Sequence, residues 1–212
     1  MKKAISLILA VLLLLPVWAY ADDAAQDAGL PFKDVEAGTW YTDAVAYVYG
    51  RNLMTGTDEA TFSPDLPLTR AQLVTVLWRL AGQPAADGAM PYSDVEADAW
   101  YAGAARWAAA EQIADQSGSF APDKVLSREE TALLLWKYAK AVGADVSVGE
   151  DTNILSYDDA FDITEGYAAA MQWAVGAGII NGISATQLSP RGVTDRAAAA
   201  QIFKNFVEFC EM

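Results

Sequence analysis

Apolar residues in this chain recur at spacings of three and four, the pattern of helices with one buried face. The first such segment predicts a helix from about Thr39 to Arg51, and the second predicts a helix that begins near Arg70. The predicted core faces are formed by Tyr41, Ala44, Val45 and Val48 in the first helix and by Leu73, Val74, Leu77 and Leu80 in the second. Because no alternating strand pattern of useful length occurs, the sequence predicts a mainly α protein.

This pair of segments occurs three times along the chain. The stretch FKDVEAGTWY (32–41) returns as YSDVEADAWY (92–101) and, more loosely, as YDDAFDITEGY (157–167). Likewise TFSPDLPLTRAQ (61–72) returns as SFAPDKVLSREE (119–130) and QLSPRGVTDRAA (187–198). The matches predict repeats at 32–82, 92–142 and 157–209, with a linker at 143–156. No repeat has enough apolar residues for its own core, so we expect the second helices to form a central three-helix bundle.

Each second helix is predicted to begin with a capping residue followed by an arginine. The capping residues are Thr69, Ser127 and Asp195, and the arginines are Arg70, Arg128 and Arg196, each six residues after a proline. A cation is mildly unfavourable in the first turn of a helix. The free N–H groups there attract anions, however, and a guanidinium adds a planar donor for a carboxylate. The motif therefore predicts a site for a negative group; the alternative is a local ion pair with Asp65 or Asp34 and their counterparts.

Two tryptophans stand just before the predicted first helices. Trp40 and Trp100 lie six residues after Asp34 and Asp94, whereas the third repeat has Gly166 at that position. An exposed indole could stack on a sugar ring. The alternative is a core tryptophan that closes the first helix.

Charge and composition narrow the functional classes. The chain has 14 basic and 28 acidic residues, a net charge of −14, so we expect no nucleic-acid partner. It has no histidine and one cysteine, Cys210, which excludes histidine-based catalysis and an internal disulfide framework. We found no glycosidase-type carboxylate pair, calcium loop, phosphate loop or nucleophile elbow. The sequence thus predicts a protein that is not an enzyme and that has no metal or cofactor.

The amino terminus reads as a secretory signal. Lys2 and Lys3 precede an apolar run, and WAYADD offers an A-x-A cleavage site near Ala21. We predict a signal peptide at 1–21, a short linker at 22–31, and no stable membrane insertion after cleavage. The alternative is an uncleaved anchor, for which the apolar run is short.

The combination of FKDVEAGTWYTDAV, LMTG and TFSPDLPLTRAQ resembles the S-layer homology domain, and the resemblance covers about 32–208. It implies a three-pronged pseudo-trimer that binds a secondary cell-wall polymer, often through a pyruvylated amino sugar in grooves between prongs. The implied contacts with the acidic group are Arg70, Arg128 and Arg196, with Thr69, Ser127 and Asp195 at the helix starts and Gly56 and Gly182 lining the turns. Gln116 replaces that glycine in the second repeat, and Asp195-Arg196-Ala197-Ala198 departs from the Thr-Arg-Ala-Glu pattern in the third.

The resemblance therefore implies a secreted module that binds an anionic wall polymer at the cell wall or S-layer. An extracellular adaptor that uses the grooves for protein partners is the alternative. A hydrolase acting on wall glycan is a third hypothesis.

Overall fold

A computed structural model describes residues 29–115, 117–148 and 154–211 of the protein. The predicted signal peptide, most of the 22–31 linker and Gln116 lie outside these ranges. The described residues are mainly helical and contain no named strand. The helices are α1 (Thr42–Gly50), α2 (Arg70–Leu80), α3 (Ala102–Ala110), α4 (Arg128–Ala141), α5 (Ala168–Gly176) and α6 (Arg196–Glu211), with short 3-10 helices at Ile154–Ser156 and Ala160–Asp162.

The first helix of each repeat ends in a left-handed residue. Asn52, Gln112 and Gly178 have φ angles of 56°, 59° and 68° and reverse the chain after α1, α3 and α5. α1 begins at Thr42, three residues later than the sequence predicts. Thr39 lies instead in a turn, where its carbonyl accepts from the Thr42 N–H at 3.2 Å.

The second helices begin where the capping signals predict. Thr69 and Ser127 form capping boxes with Gln72 and Glu130, and Asp195 Oδ1 accepts from the Ala198 N–H at 2.7 Å. Arg70, Arg128 and Arg196 are therefore the first helical residues, as predicted.

The three repeats close into a ring around one continuous apolar core. α2 packs on α3 of the next repeat, α4 packs on α5, and α6 returns to pack on α1. Each first helix is thus covered by the second helix of the preceding repeat. α2 also contacts α4. The central three-helix bundle stays a prediction, since the larger helix contacts are those between first and second helices.

A closed triangle of backbone hydrogen bonds joins the repeats just before the second helices. The Leu68 N–H donates to Thr194 O at 2.8 Å, the Thr194 N–H to Leu126 O at 3.0 Å, and the Leu126 N–H to Leu68 O at 3.0 Å. All three residues are fully buried. Since each repeat donates to one neighbour and accepts from the other, no repeat completes this junction alone.

An aspartate at the start of each repeat fixes the Phe-x-Pro segment or its counterpart. Asp34 accepts from the Phe62 and Ser63 N–H groups at 2.8 and 2.7 Å, and Asp94 and Asp159 bind the equivalent N–H groups of their repeats. The Ser119 hydroxyl, followed by the Phe120 N–H, lowers the pKa of Asp94 to about 2. These carboxylates stabilise non-glycine residues with left-handed backbone, such as Ser63 at φ 60°.

Candidate functional site

The three motif arginines bind backbone carbonyls of a neighbouring repeat. Arg70 Nη1 donates to Phe120 O at 2.8 Å. Arg128 Nε donates to Leu188 O at 2.9 Å and its Nη2 donates to Asn181 O. Arg196 Nε and Nη2 donate to Phe62 O at 2.9 Å and Thr55 O at 2.7 Å. Each arginine therefore joins two repeats.

Burial differs among these arginines. The side chains of Arg128 and Arg196 are buried, and burial lowers the pKa of both guanidinium groups. Arg70 is half-buried. The Arg196 guanidinium also lies over the Phe62 ring, 4.6 Å from its centroid. All three arginines are thus packed into the junctions between repeats.

The first N–H groups of the second helices are not free. The Arg70 N–H donates to Lys124 O at 2.9 Å and the Ala71 N–H donates to Pro122 O at 3.0 Å. The same pairs recur at the starts of α4 and α6, with carbonyls of the third and first repeats. The expectation that these N–H groups await an anion was therefore wrong, because neighbouring repeats supply their acceptors.

The predicted local ion pairs do not form either. The salt bridges among the described residues are Arg51–Glu211 and Lys124–Glu130. Asp34, Asp94 and Asp159 hold backbone N–H groups instead. The arginines consequently donate to carbonyls, and carboxylates such as Asp195 for Arg128 and Asp34 for Arg196 act on their charge from beyond salt-bridge distance.

An open cleft of about 320 Å³, here called the first groove, brings several predicted residues together. It is lined by Gly56 and its turn, by one face of α2, by Trp100 of the second repeat and by Arg196 of the third. The face of α2 contributes Gln72, Thr75, Val76 and Arg79. Sequence reasoning missed Thr75 and Arg79. A hydroxyl among the apolar residues of α2, and a second cation nine residues after Arg70, were the available signals.

A smaller cleft of about 140 Å³, the second groove, has the corresponding position one repeat further on. Its cations are Arg70 and Lys137, and the acidic residues Asp115 and Glu130 also line its wall. Glu130 accepts from Lys124 Nζ in a salt bridge. Tyr167 lines it beside Gly166, which occupies the position of Trp100. The second groove is therefore close to neutral, whereas the first is positive.

In the third repeat an amide replaces the second cation. Asn205, at the position of Arg79, donates to Gly178 O and Ile179 O at 3.2 Å and accepts from Gln201 Nε2 at 2.7 Å. Its side chain is thereby fully engaged within the repeat. Of the predicted residues, Arg128 and Gly182 lie at this junction, where Arg128 binds the carbonyl of Asn181.

The two tryptophans before the first helices are exposed. Trp40 and Trp100 are 65% and 62% exposed, and each makes an edge contact with the tyrosine that follows it. The interpretation of these residues as core tryptophans was wrong. Trp107 and Trp173, which lie within the first helices of their repeats, are buried instead.

Gly56 and Gly182 have a steric reason to be glycine. A Cβ atom at Gly56 would lie 2.3 Å from Asp58 O and 2.6 Å from Phe32 Cε1. At Gly182 it would lie 2.6 Å from Ser184 O and from Tyr157 Cε1. Both turns therefore pack against the aromatic residue that opens their own repeat.

The described ranges show neither a metal-binding cluster nor a membrane-spanning helix. They contain no group of three or more His, Cys, Asp or Glu side chains placed to hold a metal ion. None of their helices is long and apolar enough to cross a bilayer. Cys210 is a free, exposed thiol near the end of α6.

Comparison with known proteins identifies the repeats. Residues 31–74, 91–132 and 156–200 match the S-layer homology domain. The chain is 24% identical to an endoglucanase of Bacillus sp. (strain KSM-635), over 97% of this chain and 22% of the relative. It is 29% identical to an S-layer protein of Bacillus thuringiensis subsp. finitimus, over 82% of this chain and 21% of the relative. A cellulosome-anchoring protein of Acetivibrio thermocellus is 34% identical over 27% of this chain and 13% of its own length. The chain thus spans less than a quarter of these relatives.

Proposed function

The chain belongs to the S-layer homology domain family, and on that premise we propose that it is a non-catalytic module that anchors to the cell surface. Its ligand is an anionic secondary cell-wall polysaccharide, bound in grooves between repeats through a carboxylate such as that of a pyruvylated amino sugar. The printed names of two relatives, an S-layer protein and a cellulosome-anchoring protein, support a role at the cell surface. The similarity to an endoglucanase involves only 22% of that enzyme, so it gives no reason to expect catalysis here.

The observation that carries this proposal is a pair of guanidinium groups in one open cleft of an acidic chain. Arg79 and Arg196 line the first groove, which has no acidic residue in its wall, although the chain has a net charge of −14. Arg196 uses two of the five N–H groups of a guanidinium for carbonyls, so it retains donors for a carboxylate. The exposed ring of Trp100 at the same groove offers an apolar face to a sugar.

The remaining predicted ligand residues have different roles in the proposed binding. Arg70 and Arg128 stand at the equivalent junctions, and their free N–H groups are proposed to serve the other grooves. Thr69, Ser127 and Asp195 act by capping the helices that carry the arginines, and Gly56 and Gly182 act by keeping the turns narrow. Trp40 is exposed for stacking on a sugar in the same way as Trp100.

A wall-pelleting assay with the unmodified protein tests this function. Purified walls are divided into one portion that is stripped of pyruvate ketals by mild acid and one that is incubated at neutral pH. We expect the protein to sediment with the neutral portion and to stay in solution with the stripped portion. Equal sedimentation with both portions would exclude the carboxylate mechanism.

Two further outcomes point to other functions. No sedimentation, together with one protein partner recovered by cross-linking at the cell surface, would replace wall binding by the adaptor function. Release of reducing sugar from the wall glycan would show a hydrolase. The predicted secretion is tested separately by N-terminal sequencing of the exported protein, which we expect to begin near Asp22.

A further inference from the structure

We propose that the first groove is the principal site for the acidic residue of the polymer, and that Thr75 and Arg79 determine its binding. This inference rests on the proposed function, since it names the groove that performs it. It is carried by the charges, the unpartnered hydroxyl and the open volume that distinguish this groove from its counterparts.

The charge of the groove walls is the first distinction. Arg79 and Arg196 face the first groove without a carboxylate, whereas Asp115 and Glu130 share the second groove with Arg70 and Lys137. An anionic ligand in the second groove would therefore meet two like charges as well as two opposite ones. In the first groove the charges of the described lining residues are all opposite, so an anion is attracted more strongly there, although the Asp34 carboxylate also acts on Arg196.

An unsatisfied hydroxyl is the second distinction. Thr75 is 4% exposed, it lines the first groove, and its Oγ1 has no hydrogen-bond partner among the described residues. A buried hydroxyl without a partner is costly, and in this proposal a ligand in the first groove supplies the missing bond. The equivalent positions are Leu133, which needs no partner, and Gln201, which binds Asn205. The demand for a polar ligand is therefore specific to the first repeat.

Arg79 is held in position for this role. Its Nη1 donates to Leu53 O at 2.9 Å, which fixes the guanidinium at the wall and leaves its other N–H groups free of protein acceptors. Burial lowers its pKa, and a bound carboxylate would offset that penalty. Lys137 and Asn205 occupy the equivalent positions in the other two repeats. At this position of the second helix, therefore, only the first repeat has a guanidinium, whose planar shape lets it donate two hydrogen bonds to one carboxylate.

The open volume agrees with this assignment. About 320 Å³ falls in the range of small-molecule sites, roughly 300–1,000 Å³, whereas about 140 Å³ does not. The first groove also has Trp100 on its wall, whereas the second has Tyr167 beside Gly166.

Calorimetric titration of the full chain tests the assignment. The probe is the methyl glycoside of a pyruvylated N-acetylhexosamine, and the variants are Thr75→Val, Arg79→Gln and, as the matched control in the second groove, Lys137→Gln. We expect one dominant site per chain, a loss of about tenfold or more in affinity for R79Q and about fivefold for T75V, and a change under about twofold for K137Q.

The T75V variant separates ligand binding from folding. Valine has nearly the same shape and removes an unsatisfied hydroxyl, so thermal stability should stay equal or rise while affinity falls. A purely structural threonine would not produce that combination. The same variants in the wall-pelleting assay give the same ranking when a single sugar binds too weakly for calorimetry.

A variant that removes an acidic group from the second groove provides the converse test of the charge argument. Glu130→Gln keeps the capping box, since Gln72 forms the same box in the first repeat, and removes one carboxyl group from the second groove. We expect E130Q to raise the affinity of the second groove, the weaker of the two sites, about threefold or more.

Three equal sites in the wild type, or loss of affinity in K137Q but not in R79Q or T75V, would overturn the inference and leave wall anchoring intact. Failure of the wild type to bind walls at all would instead remove the proposed function.

Discussion

Replacing Arg128 by methionine separates the structural role of a motif arginine from its proposed ligand contact. The Arg128 side chain is 8% exposed, and it satisfies the carbonyls of Leu188 and Asn181 in the third repeat. Methionine retains an unbranched side chain as far as the position of the arginine Nε, lacks the guanidinium carbon and its two terminal nitrogens, and donates no hydrogen bond. Arg128→Met therefore leaves two inter-repeat carbonyls without their donor.

The size of the effect follows from those two bonds. The buried carbonyl of Leu188 that loses its partner costs about 1–3 kcal/mol, and the carbonyl of Asn181, an exposed residue where water can replace the donor, costs about 0.5–1.5 kcal/mol, or about 1.5–4.5 kcal/mol for both. Part of this is offset because a buried guanidinium is itself unfavourable, as the lowered pKa of Arg128 indicates. We expect R128M to lower the free energy of unfolding by about 1.5–3 kcal/mol. That is a large part of the roughly 5–15 kcal/mol typical of folded proteins.

Urea unfolding followed by tryptophan fluorescence measures this loss, and Arg70→Met is the matched control. Arg70 is half-buried and donates to Phe120 O alone, so water can replace it and we expect a loss of about 0.5–1.5 kcal/mol. The dependence of the unfolding free energy on urea should stay unchanged, since the same surface is exposed. A loss under about 1 kcal/mol in R128M, or an equal loss in both variants, would refute the view that buried arginines hold the repeats together.

Three further predictions concern glycine, acid and tryptophan positions. Gly56→Ala should lower the unfolding free energy by about 1–3 kcal/mol through overpacking, whereas Gly50→Ala, with open space around its Cβ, should not lower it; urea unfolding compares the two. The pKa of Asp94 is lowered from 3.8 to about 2, so its contribution is present above about pH 4 and is lost as the pH falls towards about 2; Asp94→Asn should flatten that part of the stability curve in acid titration. Trp100→Ala should weaken wall binding about fivefold without changing the melting temperature, whereas Trp40→Ala, at a weaker junction, should weaken it less than about twofold; equal losses of binding would speak against a dominant first groove.

The local signals in the sequence were sufficient for the starts of the second helices. A capping box acts within four residues, and therefore Thr69 and Ser127 could be identified without knowledge of the neighbouring repeats. The start of α1 was predicted three residues too early, and this error affected the interpretation of Trp40. A helix from Thr39 would include Trp40, whereas α1 begins at Thr42 and Trp40 lies outside it. Helical periodicity therefore did not apply to this residue.

The partners of the arginines could not be predicted from local sequence. Phe120 O lies 50 residues from Arg70, and Phe62 O lies 134 residues from Arg196. Such acceptors are brought near only when the ring closes. The same closure occupies the helix N–H groups that the sequence left free. Thr75 shows a related difficulty, because a hydroxyl on an apolar helix face signals a site only once its lack of a partner is seen.

The ring also makes each groove depend on all three repeats. The first groove has its turn and helix face in the first repeat, Trp100 in the second and Arg196 in the third. The second groove repeats this arrangement with Lys137, Tyr167 and Arg70. A single repeat would therefore offer one wall of a groove without its base or its opposite side. Because Arg196 and Arg70 both join repeats and line the two grooves, loss of binding on their mutation does not by itself show a ligand contact. Thr75 and Arg79, which bind no other repeat, are the side chains that can separate the two roles.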